Sequence, residues 1–156
     1  MPGIDEKDRE ILEILRKDGR ITLTDLGKRV GLSPASVKNR LDKLERLGAV
    51  KGYSAVVNPG FLDEFIEAFF ELYLSIDDHT VDPILKRIAR LKNVQALYRR
   101  SGPSQVIIKA NFRDNDEVKR FTGKLKEYFG RNLQKVEVSI IMDTFKECWH
   151  SYDDGF

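Results

Sequence analysis

The sequence predicts an α+β chain in two parts: three helices, then a β-α-β-β-α-β unit. Three observations predict it. Apolar residues recur at helical spacing up to about residue 48 and alternate in twos from residue 66. An Asn58-Pro59-Gly60 turn signal separates the two regimes. The 156 residues, 41% hydrophobic and 33% charged, suffice for one medium domain or two small ones and are too apolar for a disordered chain.

Asp5 is placed to cap the first helix, in which Ile11, Leu12, Ile14 and Leu15 recur, and Asp18-Gly19 stops it. Thr22 caps a second helix, with Asp25 three residues on; Leu26 and Val30 face inward, and Gly31 ends it after about two turns. Ser33-Pro34 opens the third, with Ser as N-cap and Pro at the first helical position, where the missing N–H costs nothing. Val37, Leu41, Leu44 and Leu47 form its apolar stripe, closed by Gly48. Only Gly31-Leu32 joins the second and third helices, so they must cross steeply, as in a helix-turn-helix. Gly27 is a poor helix former, but it lets the two come close. The β-rich run at 49–57 makes this a winged-type helix-turn-helix domain over 1–50, with 51–60 as linker strand and turn.

From Ile66 to Ile76 every second residue is apolar, opposite Glu67, Phe69, Glu71, Tyr73 and Ser75. A helix through Val81, Ile84, Leu85, Ile88 and Leu91 follows, then strands at 94–100 and 106–112 joined by a short connection. Val118, Phe121, Leu125 and Phe129 mark a second helix, and 136–145 alternates again. That order is the ferredoxin-like unit, over 61–147, with 148–156 as a tail. Its two helices cover one sheet face. The other carries Phe69, Tyr73, Leu97, Ile107, Ile141 and Phe145, which predicts a dimer with sheet against sheet.

Composition removes several classes. One cysteine allows neither an internal disulfide nor a cysteine-based zinc site. No apolar run approaches the roughly 18 residues of a membrane span, and the charged N-terminus is no secretory signal, so the expected compartment is the cytoplasm and no membrane partner is expected. Net charge is only +2, but residues 20–51 hold eight basic residues against three acidic ones. The outward face of the third helix carries Ala35, Ser36, Asn39, Arg40 and Lys43, with Lys38 at its edge. Asn and Arg suit base edges, while Lys and Ser suit phosphates. A solvated helix face is the plain alternative. Cys148-Trp149-His150 and Asp77-Asp78-His79 offer nucleophile and metal readings; an unreactive tail and helix capping explain them better, so no catalytic residue, metal or cofactor is expected. No phosphate-binding glycine loop or hydrolase motif occurs.

With these residues in view, the chain resembles the Lrp/AsnC (feast/famine) transcription regulators. Three stretches carry the resemblance: Ile4-Asp5-Glu6-Lys7-Asp8-Arg9-Glu10-Ile11-Leu12; Gly31-Leu32-Ser33-Pro34-Ala35-Ser36-Val37 followed by Arg40-Leu41-Asp42-Lys43-Leu44-Glu45; and Gly48-Ala49-Val50-Lys51-Gly52-Tyr53-Ser54-Ala55 with Asn58-Pro59. It implies a sequence-specific DNA-binding regulator whose contacts are Ser33, Ala35, Ser36, Lys38, Asn39, Arg40 and Lys43, with Arg40 and Asn39 reading bases of a pseudo-palindromic operator. It implies dimers that associate into octamers of four dimers. It also implies an amino-acid-like effector held by Gly102, Ser104 and Gln105 with Ser139, Ile140 and Ile141. One departure stands out. Where the family often has Gly-Asp-x-Asp, this chain has Gly102-Pro103-Ser104-Gln105, so no carboxylate is offered there to an effector's ammonium group. Two alternatives remain: a low-specificity DNA-packing protein, and an enzyme like the siroheme decarboxylases, which share the architecture.

Overall fold

Side chains at three positions start the first three helices by accepting backbone hydrogen bonds. The computed structural model describes residues 3–151. Its first helices are α1 (Glu6–Leu15), α2 (Leu23–Val30) and α3 (Pro34–Arg46). Asp5 Oδ1 accepts from the Asp8 N–H at 2.8 Å, Thr22 Oγ1 from the Asp25 N–H at 3.0 Å and Ser33 Oγ from the Ser36 N–H at 3.2 Å. Each satisfies a donor the helix itself leaves unpaired. Asp8 returns the bond from the Asp5 N–H at 3.0 Å and completes a capping box. Ile11, Leu26, Val30, Val37 and Leu44 are buried between the helices. Leu47, expected in this stripe, is the C-cap of α3 and is 54% exposed.

Gly31 ends α2 in the left-handed conformation, φ 71°. The Leu32 N–H then bonds the Gly27 carbonyl at 2.9 Å. A Cβ on Gly27 would stand 2.5 Å from the Leu32 carbonyl oxygen. That obstacle is backbone and cannot swing aside. Gly27→Ala should therefore destabilise the unit by about 1–3 kcal/mol, in spite of alanine's better helix propensity. A lower urea midpoint at unchanged m-value checks it.

Residues 51–58 form no strand. The strand expected at 49–57, and the wing it would build, are thus absent among the described residues. A β-rich run becomes a strand only against a partner that takes its hydrogen bonds, and within the described residues none is offered. Tyr53 anchors the segment by donating its hydroxyl to Glu45 Oε1 at 2.9 Å.

The second unit is built on β1 (Ile66–Leu74), β2 (Val94–Arg99), β3 (Val106–Phe112) and β4 (Leu133–Ile140), an antiparallel sheet in the order β2-β3-β1-β4. Two helices, α4 (Asp82–Ile88) and α5 (Asn115–Phe129), pack on one face. Phe70, Phe112 and Phe121 meet there, ring centroids 4.8–5.7 Å apart in edge and tilted contacts.

The sheet departs from the predicted pattern in three places. The last strand starts earlier and stops at Ile140; after the Ile141 N–H bonds the Glu67 carbonyl at 2.8 Å, β1 offers no further partner. Phe145 therefore lies outside this sheet. Leu97 packs against the core, opposite Ile108, whereas Tyr98 stands on the open face and is 61% exposed. A register shift between Val94 and Ala96 puts β2 out of the expected phase. The open face is also more polar than expected. Lys109 pairs with Glu67 at 3.0 Å, and Tyr73 donates to Glu137 at 2.8 Å.

The chain divides into two units. One is Asn58–Asp143; the other runs up to Val57 and takes in the chain again from Thr144. The closing stretch, expected as a tail over 148–156, contains a hairpin of β5 (Lys146–Glu147) and β6 (His150–Ser151). Cys148 and Trp149 turn it at φ 47° and 70°. The Arg16 guanidinium sits 4.1 Å from the centre of the Trp149 ring. Residues 152–156 of that predicted tail lie outside the described residues.

Candidate nucleic-acid interface

The predicted contact residues of α3 fall into two groups. Ala35, Lys38 and Asn39 are exposed, and Ser36 is half-buried beside them. Lys38 pairs with Asp42 one turn on, at 2.9 Å and in solvent, an exposed contact that costs little to break. The Asn39 side chain makes no hydrogen bond with another described residue, and the residue is exposed. Ser33 is engaged as the helix cap.

Arg40 and Lys43 form the other group, and here the geometry differs from the expected free outward face. Arg40 Nη1 reaches Asp5 at 2.7 Å and Asp8 at 2.9 Å, leaving its side chain 26% exposed. Lys43 Nζ binds the other oxygen of Asp8. Asp8 is fully buried. Burial pushes its carboxyl up, but hydrogen bonds from Lys43, the Asp5 backbone N–H and Arg40 outweigh that and hold it down to about 2. The Arg40 hydrogen bond likewise lowers Asp5. One buried carboxylate thus locks α3 to the start of α1 and sets the angle at which Asn39 is presented. The sequence reading missed Asp8. The Asp-x-x-Asp spacing at Asp5 marks it as a capping residue, but nothing local points to α3.

The predicted effector residues also separate. At one end of the sheet, Gln105 accepts from the Leu74 N–H of β1 at 2.8 Å and donates to the Pro103 carbonyl within its own turn at 3.3 Å, so both ends of its amide are used. Ser104 is fully buried and donates to Glu71 at 2.9 Å, while Arg100 binds both. Gly102 is exposed at φ 128°. Ser139 and Ile140 lie opposite Phe69 and Ala68, toward the other end of β1, with Ile141 beyond them. At about 3.3 Å per residue the two groups stand roughly 15–20 Å apart in one chain.

The acids of the metal alternative have other work. Arg99 binds Asp77 at 2.9 Å and Asp82 at 2.8 Å, and Asp78 accepts from the Thr80 N–H at 2.8 Å. No group of three metal-ligating side chains occurs among the described residues, nor any helix long and apolar enough to cross a membrane.

Comparison with known proteins places this geometry. Residues 4–45 match the AsnC-type helix-turn-helix domain, and residues 67–148 the Lrp/AsnC ligand-binding domain. The chain is 45% identical over 151 residues to an uncharacterized HTH-type transcriptional regulator of Pyrococcus abyssi, covering 95% of this chain and 97% of that one. It is 35% identical over 126 residues to the leucine-responsive regulatory protein of Escherichia coli, covering 79% and 77%. The crystal structure of the leucine response regulatory protein of Mycobacterium tuberculosis matches with a TM-score of 0.78 at 27% identity, over 93% of this chain and 97% of that one. With both domain models matched, and with relatives this similar over nearly its whole length, the chain belongs to the Lrp/AsnC family of transcriptional regulators.

Proposed function

We propose that this regulator binds a pseudo-palindromic operator sequence-specifically, as a cytoplasmic dimer or octamer assembled through its C-terminal domain, and that an amino-acid-like effector modulates it. Membership of the family makes it a transcriptional regulator with a DNA-binding and a ligand-binding domain, and not an enzyme. The observation that carries the finer reading is the exposed first half of α3, where Asn39 is free to pair with a base edge while the helix beneath it is fixed by Asp8. In this reading Asn39 reads bases. Ala35 lies against the groove, and Ser33, Ser36 and Lys38 position the phosphate backbone. Arg40 and Lys43 act first as the struts that orient α3.

Selection of bound sequences from random duplex DNA by the purified protein tests this. A shared palindromic motif is expected, with half-sites about one helical turn apart. Enrichment of no motif despite tight binding would favour the DNA-packing alternative. On the selected operator, Asn39→Ala should weaken binding by about 1–3 kcal/mol and relax specificity at one base position, with no change in melting temperature.

The separation of the two effector groups within one chain supports a pocket completed between copies. The leucine-responsive name of the Escherichia coli relative supports an amino-acid-like ligand. Gly102, Ser104 and Gln105 would supply its turn side, and Ser139, Ile140 and Ile141 of another copy the opposite side. Adding the twenty amino acids to the selection should shift operator affinity; no shift with any of them would remove the effector part of the reading.

A further inference from the structure

Charge is spread unevenly over the ligand-binding unit. Residues 83–93 and 118–131 hold nine lysines and arginines and a single acid, Glu127. They carry +8 in a chain whose total is +2, so the remaining residues together carry −6. Averaging over the whole C-terminal half conceals this in the sequence.

These segments lie on one side of the sheet. Val81, Leu85 and Ile88 at α4, and Phe121, Leu125 and Phe129 of α5, share one core. The Arg87 guanidinium lies 4.2 Å from the centre of the Tyr128 ring and ties the two helices together. Lys124 falls one turn before Tyr128 on α5, and Arg131 follows the end of that helix. Lys86, Arg87, Arg90, Lys92, Lys124 and Arg131 are all exposed.

Some helical cations have acids one turn away, as in Lys7–Glu10, Lys28–Asp25 and Lys38–Asp42, and so does Lys119 of α5 with Asp116; Arg9, Arg29 and Arg46 form no ion pair with another described residue. None of the six forms an ion pair with another described residue. Helix dipoles favour a cation in each last turn. They do not account for Arg90, Lys92 and Arg131, which follow the helix ends at Ile88 and Phe129.

We propose that this helical layer is a second DNA-binding surface, which grips the phosphate backbone of duplex extending past the operator and reads no sequence. The inference rests on the DNA-binding role of the helix-turn-helix, which brings to the same chain a polyanion with about one charge per 1.7 Å. Guanidinium and ammonium groups without acid partners meet phosphates with no internal pair to break. The stack on Tyr128 holds one guanidinium in place.

The test uses the full-length protein and duplexes of about 20 and about 60 base pairs, each carrying the selected operator, with affinity followed from roughly 50 to 200 mM salt. The wild-type dependence of log affinity on log salt should be steeper on the long duplex. The quadruple variant R90Q/K92Q/K124Q/R131Q should lose that extra steepness, by about 3–4 in slope if four phosphate contacts go. Its short-duplex affinity should stay within about twofold of wild type, since removing these contacts touches only the longer DNA. Equal slopes on both lengths for the wild type, or equal losses on both lengths for the variant, would overturn the proposal. Binding to neither duplex would overturn the DNA-binding reading of α3 and this surface with it.

Discussion

Replacing Asp8 by alanine should lower the stability of the helix-turn-helix unit by about 2–4 kcal/mol, because one carboxylate serves three partners there. It caps α1 through the Asp5 N–H and receives both Arg40 and Lys43 while fully buried itself. Its removal leaves Arg40 with Asp5 alone and Lys43 without its ion-pair partner. The two cations are 26% and 34% exposed and can turn partly to water, which sets the lower end of the range. The same site predicts a pH dependence. The folded carboxyl is held at about 2 against an ordinary 3.8. A lowered folded value means that this stability is complete above the ordinary value and is lost as pH falls through about 4 toward 2. The loss amounts to about 2 kcal/mol. Urea midpoints at pH 7 and pH 3 check it: Asp8→Asn should be less stable than wild type at pH 7, and the gap should narrow at pH 3. A gap of the same size at both pH values would show that the carboxylate's charge is not what matters.

Asp8 also marks the limit of what the chain's local patterns reveal. The caps at Asp5, Thr22 and Ser33 are legible because a cap and its N–H lie three residues apart. The Asp8–Arg40 contact spans 32 residues, and no periodicity encodes it. Sorting the residues of α3 by its apolar stripe puts Arg40 outward with Asn39. A stripe describes one helix, however, and cannot show that the neighbouring helix begins with a buried acid.

The sheet was readable for the same local reasons and misread where partners decide. In β1 and β3 alternation coincides with burial, since both are central strands with one face on the helices: Ala68, Phe70, Leu72 and Leu74 are buried, as are Val106, Ile108, Ala110 and Phe112. On the outer strand β2 a register shift exchanged Leu97 and Tyr98. Alternation continued past Ile140 in the sequence, yet pairing stopped where β1 begins. The two effector groups share one ligand in the family resemblance, but in one chain they lie toward opposite ends of β1, a separation that no local pattern encodes.

Phe70→Ala should be among the most damaging single changes in the ligand-binding unit, at about 3–5 kcal/mol. Phe70 is fully buried and central in the sheet, on β1 between β3 and β4. Its ring meets Phe112 from the neighbouring strand and Phe121 from α5, with centroids 5.7 and 4.8 Å away. The deletion would therefore open a cavity that neither the sheet nor the helix can close without giving up its own contacts. Phe70→Leu keeps much of the volume and should cost about half as much. Thermal melts of the two variants, read against wild type at equal protein concentration, give the ranking. The consequence for function follows from where Phe70 lies. It is distant in sequence from α3 and touches no proposed DNA contact. If assembly runs through this domain, Phe70→Ala should nevertheless weaken binding to a two-half-site operator near its melting point far more than binding to a single half-site. Equal weakening on both would mean that the ligand-binding domain does not hold the two recognition helices together.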